Sequence, residues 1–210
     1  MSLAYKISSF NRKRKWKIFK ELFAINPQLN VLDIGFSEKE YSDTDNFLEK
    51  HYPYPEKITA LGIDSPKEFV IRYPQVKAIS YDGINFPFTD KLFDICWSNA
   101  VIEHVGDREK QLHFLKEVRR VAKSGFITTP NSRFPIEVHT RIPLLHYLPK
   151  KIFDKFLNLI NKGWASGDYM HLLSISETKE LLAQAGFKNY KIIKNRLLWT
   201  LDFIIYFNDN

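Results

Sequence analysis

Asn30-Val-Leu-Asp-Ile-Gly35 reads as a short buried strand that runs into a glycine turn, and this reading decides the fold. Working outward, Ile58-Thr-Ala-Leu-Gly-Ile-Asp64 is a second strand of the same kind, with a helix over Asp45 to His51 between the two. After Pro66 a short helical piece leads to a third strand near Val76 to Tyr81. Phe93-Asp-Ile-Cys-Trp-Ser98 is a fourth strand, Arg108 to Val121 is helical, and Gly125-Phe-Ile-Thr-Thr129 is a fifth. Strands separated by helical crossovers give an α/β fold, a doubly wound and mostly parallel sheet with helices on both faces.

The flanks fit this frame. Before the first strand lies a helix that Pro27 is expected to end, so residues 1–26 are read as a helical lid. From Pro130 to Tyr169 the alternation stops, and residues 131–170 are read as a helical insert after strand five that caps the cleft. Ser176-Glu-Thr-Lys-Glu-Leu-Leu-Ala-Gln-Ala-Gly186 is a helix with Ser176 as N-cap, Lys179 where a capping box wants Glu, and Gly186 as C-cap. Two aromatic-rich strands, near Tyr190 to Lys194 and Leu197 to Phe207, complete seven strands in one domain over residues 1–210.

Composition sets the class. With 44% hydrophobic, 15% aromatic and 26% charged residues, and only 8 Gly and 10 Pro, the chain has the make-up of an ordinary globular domain. Cys96 is the single cysteine and lies in an apolar run, which points to a reducing, cytoplasmic setting. The six histidines are scattered and no ligand pair has zinc-like spacing, so no metal is expected. A strained G-x-S-x-G elbow for Ser-His-Asp hydrolysis is also missing. The net charge of +7 draws on Lys6, Arg12, Lys13, Arg14, Lys15, Lys17 and Lys20. Interleaved with Trp16, Phe19 and Phe23, these are read as the solvated basic face of an amphipathic helix.

Three acids stand at successive strand ends. Asp33 precedes the Gly35 turn, Asp64 closes the second strand where a carboxylate accepts from both ribose hydroxyls, and Asp82 in Tyr81-Asp-Gly83 is placed to accept from an adenine amino group. The dinucleotide fingerprint G-x-G-x-x-G is absent, because Gly35 is followed by Phe-Ser-Glu-Lys-Glu, so NAD is disfavoured.

At this point the chain resembles the class I S-adenosylmethionine (SAM)-dependent methyltransferases, in particular their small bacterial branch. The segments that carry the resemblance are Val31-Leu-Asp-Ile-Gly35, Leu61-Gly-Ile-Asp64 and, above all, Phe86-Pro-Phe-Thr-Asp-Lys-Leu-Phe-Asp-Ile-Cys-Trp-Ser-Asn-Ala-Val-Ile-Glu-His-Val105. Leu115 to Lys123, Phe126 to Asn131 and Leu181 to Phe187 extend it. The resemblance implies the Rossmann-like methyltransferase fold and SAM as cofactor. It makes Asp33, Gly35, Phe36 and Ser37 the methionine-side turn, Asp64 with Ser65 the ribose contact, Asp82 with Gly83 the adenine contact, and Ser98 the strand-four end beside the sulfonium. Ser37 and Lys39 stand where the family's D-x-G-x-G-x-G pattern has its later glycines, and Lys39 is expected to bring bulk near the methionine moiety.

SAM carries its own electrophile, so the protein needs mainly to align an acceptor and remove a proton. His104 is the candidate base beyond strand four, and Glu137 and His139 are further candidates in the insert. The favoured reading is methyl transfer to an oxygen or nitrogen of a small molecule or sugar. Nucleic-acid methylation, motivated by the basic N-terminus, is the second reading. A non-catalytic SAM-fold binding protein, motivated by Ser37 and Lys39, is the third. A small-molecule or sugar acceptor is the expected partner, ahead of nucleic acid and of anionic membrane contact through Leu144 to Trp164.

Overall fold

The computed structural model describes residues 3–134, 170–196 and 199–209, together with four helical positions, Ile152, Lys155, Phe156 and Leu159. The described strands are β1 (Val31–Ile34), β2 (Ile58–Gly62), β3 (Lys77–Ser80), β4 (Phe93–Asn99), β5 (Ala122–Pro130), β6 (Tyr190–Arg196) and β7 (Thr200–Asn208). The helices are α1 (Leu3–Leu22), α2 (Phe47–His51), α3 (Lys67–Arg72), α4 (Arg108–Val121) and α5 (Ile175–Gln184).

They form one seven-stranded sheet in the order β3-β2-β1-β4-β5-β7-β6. β1 to β5 are mutually parallel, whereas β7 runs antiparallel to both β5 and β6. The seven-stranded, mostly parallel expectation is therefore met. From β1 the chain fills one direction with β2 and β3 and the other with β4 and β5, so a topological switch point lies between β1 and β4. Ligands of open α/β sheets bind in the crevice at the carboxyl ends of such strands.

Strand periodicity explains why both faces are covered. Leu32, Ile34, Cys96 and Ile127 point to a core shared with Phe114, Leu115 and Val118 of α4 and Leu181 and Leu182 of α5. Val31, Ile95, Trp97 and Phe126 point to the other face, where Phe19, Phe23, Leu48 and Phe69 cover them. On this second face α1 docks through aromatic rings. Trp97 stacks on Phe126 at 4.9 Å, and Phe19 meets both edge-on at 5.0 and 5.5 Å.

Three boundaries differ from the expectation. α1 stops at Leu22, ahead of Pro27, and in the turn that follows the Asn26 Oδ1 accepts from the Gln28 N–H at 3.0 Å. α5 is capped two residues earlier than Ser176: Ser174 Oγ accepts from the Glu177 N–H, and the Glu177 carboxylate accepts from the Ser174 N–H at 2.8 Å. This is a full capping box, with Ala185 as C-cap and Gly186 beyond it at φ +82°. β5 begins at Ala122, straight off α4, because Lys91 Nζ donates to the carbonyls of Arg119 (2.9 Å) and Ala122 (3.0 Å) that the helix end leaves free.

Candidate active site

The cleft is built where β1 and β4 end side by side, with Ile34 in register with Ser98. Gly35 turns the chain at φ +101°, and a Cβ there would lie 2.5 Å from Val101 Cγ2. Only glycine fits this turn, and its bare backbone faces the crevice edge. Opposite, the chain leaves β4 through Ala100, which takes φ +59°, a left-handed conformation that costs a non-glycine residue roughly 1 kcal/mol. The Ala100 N–H is held by the Thr128 carbonyl at 2.9 Å. Ser98 is fully buried, and its Oγ meets no hydrogen-bond partner among the described residues. A buried orphan hydroxyl beside a glycine that a Cβ would fill is the kind of cradle a polar ligand completes.

The turn after Gly35 is held by side chains in place of glycines. Asn46 Oδ1 accepts from the Ser37 N–H and Asn46 Nδ2 donates to the Ser37 carbonyl, both at 2.8 Å. Glu40 then ties the loop to Lys50 (2.8 Å) and to the Tyr73 hydroxyl. Neither Ser37 nor Lys39 takes a left-handed φ, so neither position requires glycine, and Lys39 is exposed. Phe36 is buried, and its ring fills the space over Gly62, where a Cβ would come within 2.8 Å.

Asp64 and Ser65 are exposed past the end of β2, with the Asp64 carbonyl accepting from Ser80 Oγ at 2.7 Å. Asp82 uses one carboxylate oxygen to cap its own turn, accepting from the N–H groups of Ile84 (2.8 Å) and Asn85 (2.9 Å). Those backbone bonds hold its carboxyl below the usual range. Beside these acids Ile63 and Ile84 are 72% and 58% exposed, apolar surface that sequence reasoning missed and that suits the face of a flat ring. A cavity of about 490 Å3 adjoins them, lined by Asp82, Gly83, Ile84, Val105, His113 and Phe114 among others.

Asp33 is buried and turned toward Glu49 of α2. Burial, then the neighbouring Glu49, pushes its carboxyl well above the usual range, and burial also raises Glu49. Two carboxyl groups this close share a proton more readily than they both ionise. The second face of the cleft is likewise polar. Asp202 at the start of β7 accepts from Lys15 Nζ at 2.6 Å and from Asn11 Nδ2 and Asn195 Nδ2 at 2.8 Å each, and Lys15 also donates to Thr128 Oγ1 at 3.3 Å. Thr129 Oγ1 donates to the buried Glu103 at 3.1 Å.

This network corrects the reading of the basic N-terminus. Lys13, Lys17 and Lys20 are exposed, but Lys15 is buried and Arg12 turns inward beside the Asp33 end of β1. Arg12, Lys15, Trp16, Phe19 and Phe23 recur at helical spacing along one stripe, the signal that would have placed both cations on the buried side. His104 is exposed at the end of a 310 turn over Ile102–His104 that follows β4. Glu137 and His139, most of the insert 131–170, and most of Leu144 to Trp164 lie outside the described residues. Among the described residues no group of three metal-ligating side chains occurs, and no helix is long and apolar enough to cross a membrane.

Residues 48–127 match the methyltransferase domain family. The chain is 27% identical over 184 residues to a demethylmenaquinone methyltransferase of Lactobacillus johnsonii, covering 82% of this chain and 64% of that protein. It thus spans just under two thirds of the length of that curated relative. Among solved structures it is similar to a SAM-dependent methyltransferase from Aquifex aeolicus, with TM-score 0.60, 17% identity, and 92% of this chain and 88% of that one covered. A SAM-dependent methyltransferase from Mesorhizobium loti aligns with TM-score 0.62 at 12% identity, over 92% of this chain and 97% of that one.

Proposed function

We propose that this chain is a class I SAM-dependent methyltransferase and moves the methyl group of SAM to an oxygen or nitrogen of a small molecule or sugar. The observation that carries this reading is the cradle at the β1–β4 switch point: glycine at φ +101° on one side and the buried, orphaned Ser98 hydroxyl on the other. SAM supplies an activated methyl on a cationic sulfur. The chain's own residues would do the rest. Gly35, Phe36 and Ser37 shape the turn for the methionine end, and Asp64 beside Ser65 accepts from the ribose hydroxyls. Asp82 with Gly83 and the exposed Ile63 and Ile84 flank the adenine, with Ser98 beside the sulfonium.

The acceptor half is placed over β4, β5 and β7, where part-exposed Asn99 lies above the buried, mutually paired Thr128, Lys15 and Asp202. His104, and in the insert Glu137 and His139, are the candidate groups for taking the acceptor's proton. Isothermal titration with SAM and S-adenosylhomocysteine tests cofactor binding, and release of S-adenosylhomocysteine across sugars, amines and phenols tests the acceptor class. Absence of binding at millimolar cofactor would replace this reading with a non-catalytic binding protein.

The basic N-terminus no longer favours the nucleic-acid reading, since Arg12 and Lys15 face the interior. Lys13, Lys17 and Lys20 remain on the outer face of α1.

A further inference from the structure

α1 delivers one cation to the cleft that the fold itself does not neutralise. Its aromatic stripe, Trp16, Phe19 and Phe23, sits on Trp97, Phe126 and Tyr206, which fixes the rotation of the helix about its axis. Arg12, one turn before Trp16, and Lys15, directly before it, lie along the same side of the helix at the carboxyl ends of the strands. Lys15 is consumed there by Asp202 at 2.6 Å.

Arg12 is not consumed. Among the described residues it forms no ion pair. Its polar partner is Asn99, whose amide, oriented to donate to Thr128 Oγ1 at 3.0 Å, accepts from both Arg12 Nη2 (3.0 Å) and Arg12 Nη1 (2.5 Å). Its guanidinium carbon lies 6.0 Å from the centre of the Phe47 ring. A guanidinium has five N–H donors in a planar fork, so an amide oxygen that takes one from each Nη leaves the other three for a ligand. Burial pulls its basicity down, and the charges of Asp33, Asp45, Asp202 and Glu103 push it back up from a distance. The flanking residues locate it: Asp33 is two positions before the Gly35 turn, and Asn99 directly follows Ser98, the register partner of Ile34.

Resting on the cofactor reading above, we infer that Arg12 receives the α-carboxylate of the methionine end of SAM. That carboxylate is the one anionic group of the cofactor, and a planar fork can hold it by two parallel hydrogen bonds. With the ribose drawn to Asp64 at the far side of β1, the amino-acid end extends over Gly35 toward β4, where Arg12 waits with Asn99. The first helix is then part of the cofactor site. It also supplies what the absent later glycines do not, a charged anchor for the methionine moiety.

The test uses the full chain and two probes, S-adenosylhomocysteine and 5′-methylthioadenosine, which share the adenosine and the thioether but differ in the amino-acid end. Arg12→Gln should weaken S-adenosylhomocysteine binding by roughly 10- to 100-fold, the range for a lost charge-assisted bond, with 5′-methylthioadenosine affinity unchanged. Arg12→Lys, which keeps the charge and the packing stem but loses the fork, should fall between, and it carries the comparison if the glutamine variant does not fold. Unchanged S-adenosylhomocysteine affinity in a folded variant, or equal losses for both probes, would overturn the inference. Failure of the unsubstituted chain to bind either probe would instead overturn the cofactor reading and this inference with it.

Discussion

Lys15 of α1 and Asp202 of β7 form an ion pair of 2.6 Å with side chains only 6% and 5% exposed, joining the two ends of the chain beneath the cleft. Asn11 and Asn195 complete the carboxylate's hydrogen bonds. Removing one partner of such a pair leaves a buried charge without its counter-ion. Lys15→Met is therefore expected to destabilise the fold by about 3 kcal/mol or more, read from urea unfolding. The double variant Lys15→Met with Asp202→Leu should recover much of that loss. A single variant as stable as the parent would remove the pair from any structural role.

Gly35→Ala should cost about 1–3 kcal/mol, because the residue must hold φ +101° while its new Cβ meets Val101 Cγ2 at 2.5 Å. Adding Val101→Ala relieves the contact but not the backbone strain, so only part of the stability should return. Thermal melting of the three proteins checks this, and full recovery in the double variant would show that crowding alone was at work.

Asp64→Ala is expected to weaken SAM binding by about 1.5–3 kcal/mol as the ribose hydroxyls lose a charged acceptor. The residue is exposed, so the melting temperature should not move. An unchanged dissociation constant in the folded variant would take Asp64 out of the site.

The buried Asp33 sets a pH dependence. Its folded carboxyl titrates well above the ordinary value of 3.8, so the folded state holds a proton that the unfolded state has released. Its stabilising contribution is complete below about pH 4 and is lost as pH rises through the raised folded value. Asp33→Asn keeps a donor for Glu49 without that proton, and its stability relative to the parent should grow between pH 5 and pH 8. Unfolding free energies that stay parallel across this range would refute the shared-proton arrangement.

His104→Ala should lower turnover by roughly 100-fold, a typical general-base contribution, while leaving S-adenosylhomocysteine affinity intact. The same outcome is expected of His139→Ala if the insert provides the base. Near-normal turnover in both would mean that alignment of the acceptor suffices.

Much of the architecture was legible locally. Val31 to Ile34 and Phe93 to Ser98 alternate between two apolar faces, Arg108 to Val121 has helical periodicity, and Asp33, Asp64 and Asp82 stand beside strand ends. These signals depend on neighbours a few positions apart, so a single chain displays them. The capping of α5 differs from the expectation because Ser174 and Ser176 both stand at its start, and the Glu177 carboxylate, which accepts from the Ser174 N–H, selects the first.

Tertiary structure alone decided the rest. Whether Lys13 or Lys15 faces water depends on which stripe of α1 finds Trp97 and Phe126, residues about 80 to 110 positions further along. That Asn46 can stand in for the glycines after Gly35 depends on α2 returning its amide to the Ser37 backbone at 2.8 Å. The pairing of Asp33 with Glu49, of Lys15 with Asp202 and of Arg12 with Asn99 has the same origin. Periodicity records which side of an element is apolar, but burial brings distant charged groups out of water, and there each must find its partner in space.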